Sequence, residues 1–186
     1  GSFLLRQYLG LYSGGLSGAV IMGTGHQPSL ILNGGMLICK VISMFKGGDY
    51  RSKFVDGMAG GSYEKKMGRA WLSRYQENQD VYVADPYCGF MFTVNAYFHM
   101  FWGMLKMNNQ EKEGKASKKL PLFFVSGAED PVGENGKGVE KVVNLYKENG
   151  YENVKMKLYP EDRHEILKER DKDVVFEDIL NFLRGN

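Results

Sequence analysis

Two cysteines and three histidines are all that 186 residues hold for thiol or imidazole chemistry. Cys39 and Cys88 form neither a CxxC pair nor a disulfide framework. His26, His99 and His164 contain no pair at i and i+4 and lie in no His/Cys cluster, so no metal site is expected. So little cysteine fits a reducing compartment, and a cytoplasmic location is the expectation. An excess of one charge is also lacking: 24 Lys and Arg face 22 Asp and Glu, a formal net charge of +2. Both signs alternate through Glu165 to Asp173, no basic stripe carries interleaved aromatics, and no nucleic-acid partner is expected. No apolar run approaches the ~18 residues of a membrane span. The opening Gly1-Ser-Phe-Leu-Leu-Arg-Gln-Tyr-Leu9 lacks a basic leader, so no signal peptide is expected. Gly23-Thr-Gly25 and Gly133-Glu-Asn-Gly-Lys-Gly138 miss the dinucleotide and phosphate-loop fingerprints, and no cofactor is expected. A Gly-x-Ser-x-Gly turn is absent as well.

What remains is a chain with 43% hydrophobic and 25% charged residues, the proportions of one globular domain. Residues 3–12 carry Leu and Tyr on one side and Arg and Gln on another, which predicts a short helix ending at Gly14-Gly15. Ala19-Val-Ile-Met22, bounded by glycines, reads as a buried strand. A loop at 23–28 and a helix at 29–46 follow. Residues 47–80 show no clear period. Tyr82 to Gly89 reads as an extended piece, Phe90 to Met107 as an apolar, aromatic helix, and 108–119 as a polar loop. The rhythm then becomes regular: strand 120–126, loop 127–135, helix 137–149, strand 153–159, a loop around His164, and a helix near 173–184. Alternation at this spacing predicts a parallel sheet with crossover helices. The long helical stretch between the first two strands predicts a cap of the kind that closes over a pocket.

Two residues stand where chemistry is usually done. Asp130 follows the strand that ends in Val125-Ser-Gly-Ala-Glu129, at the sheet end where α/β proteins place catalytic groups. Alone, an Asp before Pro131 reads better as a turn or helix-cap residue, and Glu129 is a rival acid. His164, in Glu161-Asp-Arg-His-Glu165, follows the next strand and could serve as a general base. Alone it reads better as a solvated loop histidine among charges. Acid and then histidine, each past a strand end, reproduce the second half of a Ser…Asp…His order. His26 lies in a glycine loop past a strand and could line a pocket. His99 sits among Phe98, Phe101 and Trp102 as a packed or pocket-lining residue. The Met- and aromatic-rich run 91–107 reads either as a lid helix facing an acyl chain or lipid surface, or as a core helix.

These segments, Leu120-Pro-Leu-Phe-Phe-Val-Ser-Gly-Ala-Glu-Asp-Pro-Val-Gly133, then Gly138-Val-Glu140, Tyr146, Gly150, Val154-Lys-Met-Lys-Leu-Tyr159 and Arg163-His-Glu165, resemble the α/β-hydrolases of the monoacylglycerol lipase, lysophospholipase and serine aminopeptidase group. Ala70-Trp-Leu-Ser-Arg74 and Asp85-Pro-Tyr-Cys-Gly-Phe90 resemble the cap region of its bacterial members. The resemblance covers essentially the whole chain. It implies an α/β fold corresponding to the C-terminal part of such a hydrolase: core at 1–29, helical cap at 30–115, and core carrying Asp130 and His164 at 116–186. Gly1-Ser-Phe-Leu-Leu-Arg6 looks like the last glycine of the family's Gly-His-Ser-Met-Gly turn and the helix after it. The nucleophilic Ser would then stand two positions before Gly1; Ser2, Ser13 and Ser17 do not match the motif.

The implied activity is serine hydrolysis of a small hydrophobic, lipid-like ester through an acyl-enzyme. His164 would be base and then acid, and Asp130 would orient it. His26, Phe90, Phe98 and Trp102 are the expected substrate contacts. The chain alone is expected to lack turnover and to need the N-terminal part of the same protein as a companion, because apolar strand edge at Ala19–Met22 would otherwise be open. A transient lipid-surface contact is expected too. A peptidase or amidase of the same group, and a non-catalytic binding protein on the same fold, are the alternatives.

Overall fold

The computed structural model describes residues 1–12 and 14–185; Ser13, one of the serines set aside above, lies outside them. Three parallel strands form one sheet in the order β1 (Ala19–Met22), β2 (Leu122–Gly127), β3 (Val154–Tyr159). Ala19 pairs with Leu122 and Met22 with Val125; Leu122 pairs with Val154 and Gly127 with Tyr159. The central strand, Leu-Phe-Phe-Val-Ser-Gly, is buried along its whole length. A continuous apolar run suits a strand covered on both faces.

Side-chain alternation along β2 divides the core. Leu122 and Phe124 join Ile21, Leu9 and the buried face of α7 (Lys137–Glu148). Phe123 and Val125 face the other way, onto Tyr159, Ile166 and Val175 of α8 (Lys172–Leu183). α7 takes its place because Val139, Val142, Val143 and Tyr146 recur at helical spacing and are all buried. α1 (Ser2–Leu11) contributes Leu9 to the same side.

Between β1 and β2 the described residues are helical or irregular. α2 (Ser29–Lys46) packs its Leu32 and Cys39 against Val94, Tyr97 and Phe101 of α6 (Val94–Glu113), with Val55 of α3 (Lys53–Asp56) in the same cluster. A kinked turn at Gly57–Gly61, α4 (Ser62–Met67), a 3₁₀ turn at Gly68–Trp71 and α5 (Gln76–Ala84) complete the stretch.

Four expectations are corrected. Tyr82–Ala84 is the end of α5, not an extended piece. The alternating Val81-Tyr-Val83 suggests a strand, but Gln79 Nε2 donates to the Ser73 carbonyl at 2.9 Å and Gln76 to Asp80 at 2.8 Å, and these bonds favour a helix. The aromatic helix begins at Val94 rather than Phe90, because Thr93 Oγ1 caps it by accepting from the Ala96 N–H at 3.2 Å. It continues past Met107 to Glu113, ending at Gly114 with φ 49°. Its polar second half is helical because Asn108 and Glu111 point inward rather than to water. Against the expectation drawn from apolar runs, α2 is long and apolar enough by composition to cross a membrane. Its inner face is instead packed on α6, while Leu30, Leu37, Met44 and Phe45 are exposed on its outer side.

Candidate active site

β2 and β3 end side by side, and the loops that leave them bring Asp130 and His164 together. Asp130 is fully buried. Its Oδ2 lies 2.9 Å from His164 Nδ1 and accepts from the Ser126 hydroxyl at 3.3 Å. Its Oδ1 accepts the Val132 N–H at 2.9 Å. An acid whose oxygen accepts from Nδ1–H fixes the imidazole tautomer and leaves Nε2 as the ring's basic nitrogen. Glu129, the rival acid, instead faces Arg163, Oε2 to Nε 3.8 Å, and is half exposed.

Two glycines permit this approach. A Cβ on Gly127 would lie 2.2 Å from the Asp162 carbonyl oxygen and 2.3 Å from that of Arg163. Only a residue without a side chain lets the end of β2 touch the histidine loop. Gly23, at φ +58°, packs on the ring: a Cβ there would sit 3.1 Å from His164 Cε1. The Gly23 carbonyl in turn accepts from the Ser2 hydroxyl at 3.4 Å, so the amino end of α1 abuts the same point. On its other side His164 meets Trp71, ring centroids 5.5 Å apart, and its N–H donates to the Trp71 carbonyl at 3.4 Å.

Beside the pair opens a cavity of about 730 Å³, reaching the dyad through Trp71 and Val132. Leu32, Tyr97, Phe101 and Met104 line much of it. Its charged wall groups among the described residues are Asp56, which accepts from the Tyr97 hydroxyl, and Glu64, which pairs with Arg69. Burial, and then the bond to Asp56, push the Tyr97 hydroxyl far above its usual range. Burial first, and then the charges of Asp130 and Glu134, raise the Tyr63 hydroxyl, which also lines the cavity.

Of the expected substrate contacts, Phe90 lies in this wall; His99, read from the sequence as packed or pocket-lining, lies there too. Phe98 and Trp102 do not. The strip of α6 that faces the cavity is Tyr97, Met100, Phe101 and Met104; Phe98 and Trp102, one turn apart, fall on another strip. Phe98 borders a smaller groove with Cys39 and Val94. Trp102 is partly exposed under Lys106, whose Nζ is 3.9 Å from the ring centroid. His26 lies outside the wall, its backbone against Gly138. Burial, followed by the charges of Arg6 and Lys141, lowers its pKa.

One constellation escapes sequence reasoning. Arg6 and Glu111, both buried, form a bidentate pair at 2.5 and 2.7 Å. Arg6 Nη1 also donates to Thr24 Oγ1 at 2.9 Å and to the Gly25 carbonyl at 2.7 Å. Tyr146 donates to Glu111 at 2.9 Å. The network ties α1, α6 and α7 to the loop that carries Gly23. Its members are far apart in sequence, and Glu111 falls in the stretch 108–119 that reads as a polar loop.

A family model described as "Serine aminopeptidase, S33" matches residues 1–171. A search of curated proteins returns no match. Among solved structures, a thermostable carboxyl esterase from Bacillus coagulans superposes with TM-score 0.83 at 24% identity, over 100% of this chain and 62% of that one. A lipase in its open form gives 0.80 at 19% identity, over 97% of this chain and 60% of that one. A soluble variant of the Saccharomyces cerevisiae monoglyceride lipase, solved with a substrate analogue, gives 0.68 at 18%, over 98% of this chain and 58% of that one. The chain therefore spans about three fifths of the length of these structures. The fold is that of an α/β-hydrolase.

Proposed function

The chain belongs to the serine aminopeptidase S33 family, and from that premise we propose that it carries the acid and base of a serine hydrolase acting on hydrophobic carboxylic esters. The observation that carries this reading is the Asp130–His164 contact of 2.9 Å beside a largely apolar cavity. The nucleophilic hydroxyl is supplied by the residue two positions before Gly1, next to the amino end of α1. His164 Nε2 takes the hydroxyl proton as the oxygen bonds to the ester carbonyl carbon. Asp130 steadies the resulting imidazolium. The proton then passes to the leaving alkoxide as the carbonyl–oxygen bond breaks, and water repeats the sequence on the acyl-enzyme.

Residues 30–115 act as the cap, and the Tyr97–Met104 strip of α6 takes the acyl group. The exposed apolar side of α2 supports a transient contact with a lipid surface, since so large an apolar patch usually marks an interaction site. An amide or peptide substrate is the second reading, favoured by the aminopeptidase description of the family and by the two carboxylates in the cavity wall.

A polypeptide extended N-terminally past Gly1 decides between them. It is assayed on p-nitrophenyl esters of increasing acyl length and on aminoacyl p-nitroanilides, and labelled with a fluorophosphonate read by mass spectrometry. The expected result is one label and ester turnover that rises with acyl length, both lost in His164→Ala. Faster anilide turnover would select the amide reading. No label and no turnover would leave a non-catalytic binding protein and overturn the proposal.

A further inference from the structure

Glu169 is 1% exposed and lies between the 3₁₀ turn Ile166–Lys168 and α8. Burying a carboxylate is costly unless its oxygens are well partnered, and these are partnered across two distant stretches. Oε1 accepts the N–H of Arg74 at 3.1 Å and the N–H of Arg163 at 3.3 Å. Oε2 accepts the hydroxyl of the fully buried Ser73 at 3.2 Å. One side chain thus joins residues 73–74 to the residue before His164.

The junction is extended by backbone bonds. His164 N–H donates to the Trp71 carbonyl at 3.4 Å and Glu165 N–H to the Leu72 carbonyl at 2.8 Å. Arg163 Nη1 donates to the Ala70 carbonyl at 2.7 Å. Behind it, Ser73 Oγ accepts from the Tyr75 N–H and from Asn78 Nδ2. Residues 70–74, the end of the 3₁₀ turn and the bend after it, therefore lie against the histidine loop, and Trp71 within them touches both the cavity and the imidazole.

We propose that Glu169 is a positioning residue for His164: it locks the Trp71–Arg74 stretch to the histidine loop and so sets the imidazole against Asp130 and the cavity. The need is for an acceptor at both oxygens, which an amide does not supply. The inference rests on the reading of His164 as the base, and its first test does not depend on turnover.

The proton resonance of the His164 Nδ1–H, which the bond to Asp130 moves downfield, is recorded in the full chain and in Glu169→Ala, Glu169→Gln and Ser73→Ala, with thermal unfolding alongside. The expected result is loss or broadening of that resonance in folded Glu169→Ala, with partial retention in Glu169→Gln and Ser73→Ala. In the N-terminally extended polypeptide, kcat of Glu169→Ala should fall about 10²-fold, the cost of a misplaced group, with KM little changed. A parent-like His164 resonance in folded Glu169→Ala would overturn the proposal. If that variant does not fold, an unshifted resonance in both Glu169→Gln and Ser73→Ala would do the same. Loss of the resonance in a polypeptide that never turns over would uphold the positioning role and reject the hydrolase reading.

Discussion

His164 Nδ1 sits 2.9 Å from Asp130 Oδ2, across two loops that leave neighbouring parallel strands. The contact is made where Gly127 brings the end of β2 against the Asp162 and Arg163 carbonyls. Sheet register, loop conformation and one missing side chain together place the imidazole against the carboxylate.

Replacing Asp130 by Asn keeps the size of the side chain but presents an amide. The tautomer is then no longer dictated, and kcat in the N-terminally extended polypeptide should fall by about 10²–10⁴. One amide oxygen can still accept the Val132 N–H, so the variant should stay folded. Steady-state kinetics beside a thermal melt check this. Activity within a few-fold of parent would place the acid elsewhere, with Glu129 the first candidate.

Gly127→Ala tests the close approach. Its Cβ would meet backbone oxygens at 2.2 and 2.3 Å, and neither belongs to a flexible side chain end. Either β2 or the histidine loop must move. We expect a loss of about 1–3 kcal/mol in urea unfolding, in the range of overpacked cores, together with loss of the Asp130–His164 contact in the imidazole spectrum. A parent-like midpoint and spectrum would mean the loop yields without cost.

β2 was legible because its apolar run is bounded by Pro121 and Gly127, and β3 because Val154, Met156 and Leu158 alternate with lysines. The placing of Asp130 and His164 in neighbouring loops was legible because each follows one of these strands. The misses share a cause: long-range contact decides what local pattern leaves open. Asn108 and Glu111 look like solvated loop residues until Gln27 and Arg6 are placed opposite them. Phe98 and Trp102 look equal to Tyr97 and Phe101 until the rotation of α6 is known. Glu169 looks like one charge in an alternating run, and only its partners at residues 73, 74 and 163 distinguish it.

The Arg6–Glu111 pair should show the asymmetry of buried ions. Glu111→Leu leaves Arg6 charged and buried, and Arg6→Met leaves Glu111 so; each should cost about 3–5 kcal/mol. The double variant should recover much of that loss, because neither charge is then stranded. Chemical denaturation of the three variants closes the cycle. Strictly additive losses would show that the two groups are not coupled.

Asp162 gives the chain a pH dependence with a definite sign. It is 1% exposed, and its Oδ2 has no hydrogen-bond partner among the described residues. Burial, then the bond to Asp171 and the charges of Asp171 and Glu169, push its pKa up to about 7 from an ordinary 3.8. Between those values the folded chain holds a proton that the unfolded chain has released. Its contribution to stability is therefore complete below about pH 4 and is lost as pH rises to about 7. Asp162→Asn cannot ionise, so it should be more stable than the parent at pH 8, by about 1–3 kcal/mol, and nearly equal to it at pH 4. The difference between the two stability curves reports Asp162 together with its coupling to Asp171 and Glu169. Parallel curves from pH 4 to 8 would show that Asp162 ionises in the folded chain as it does in the unfolded one.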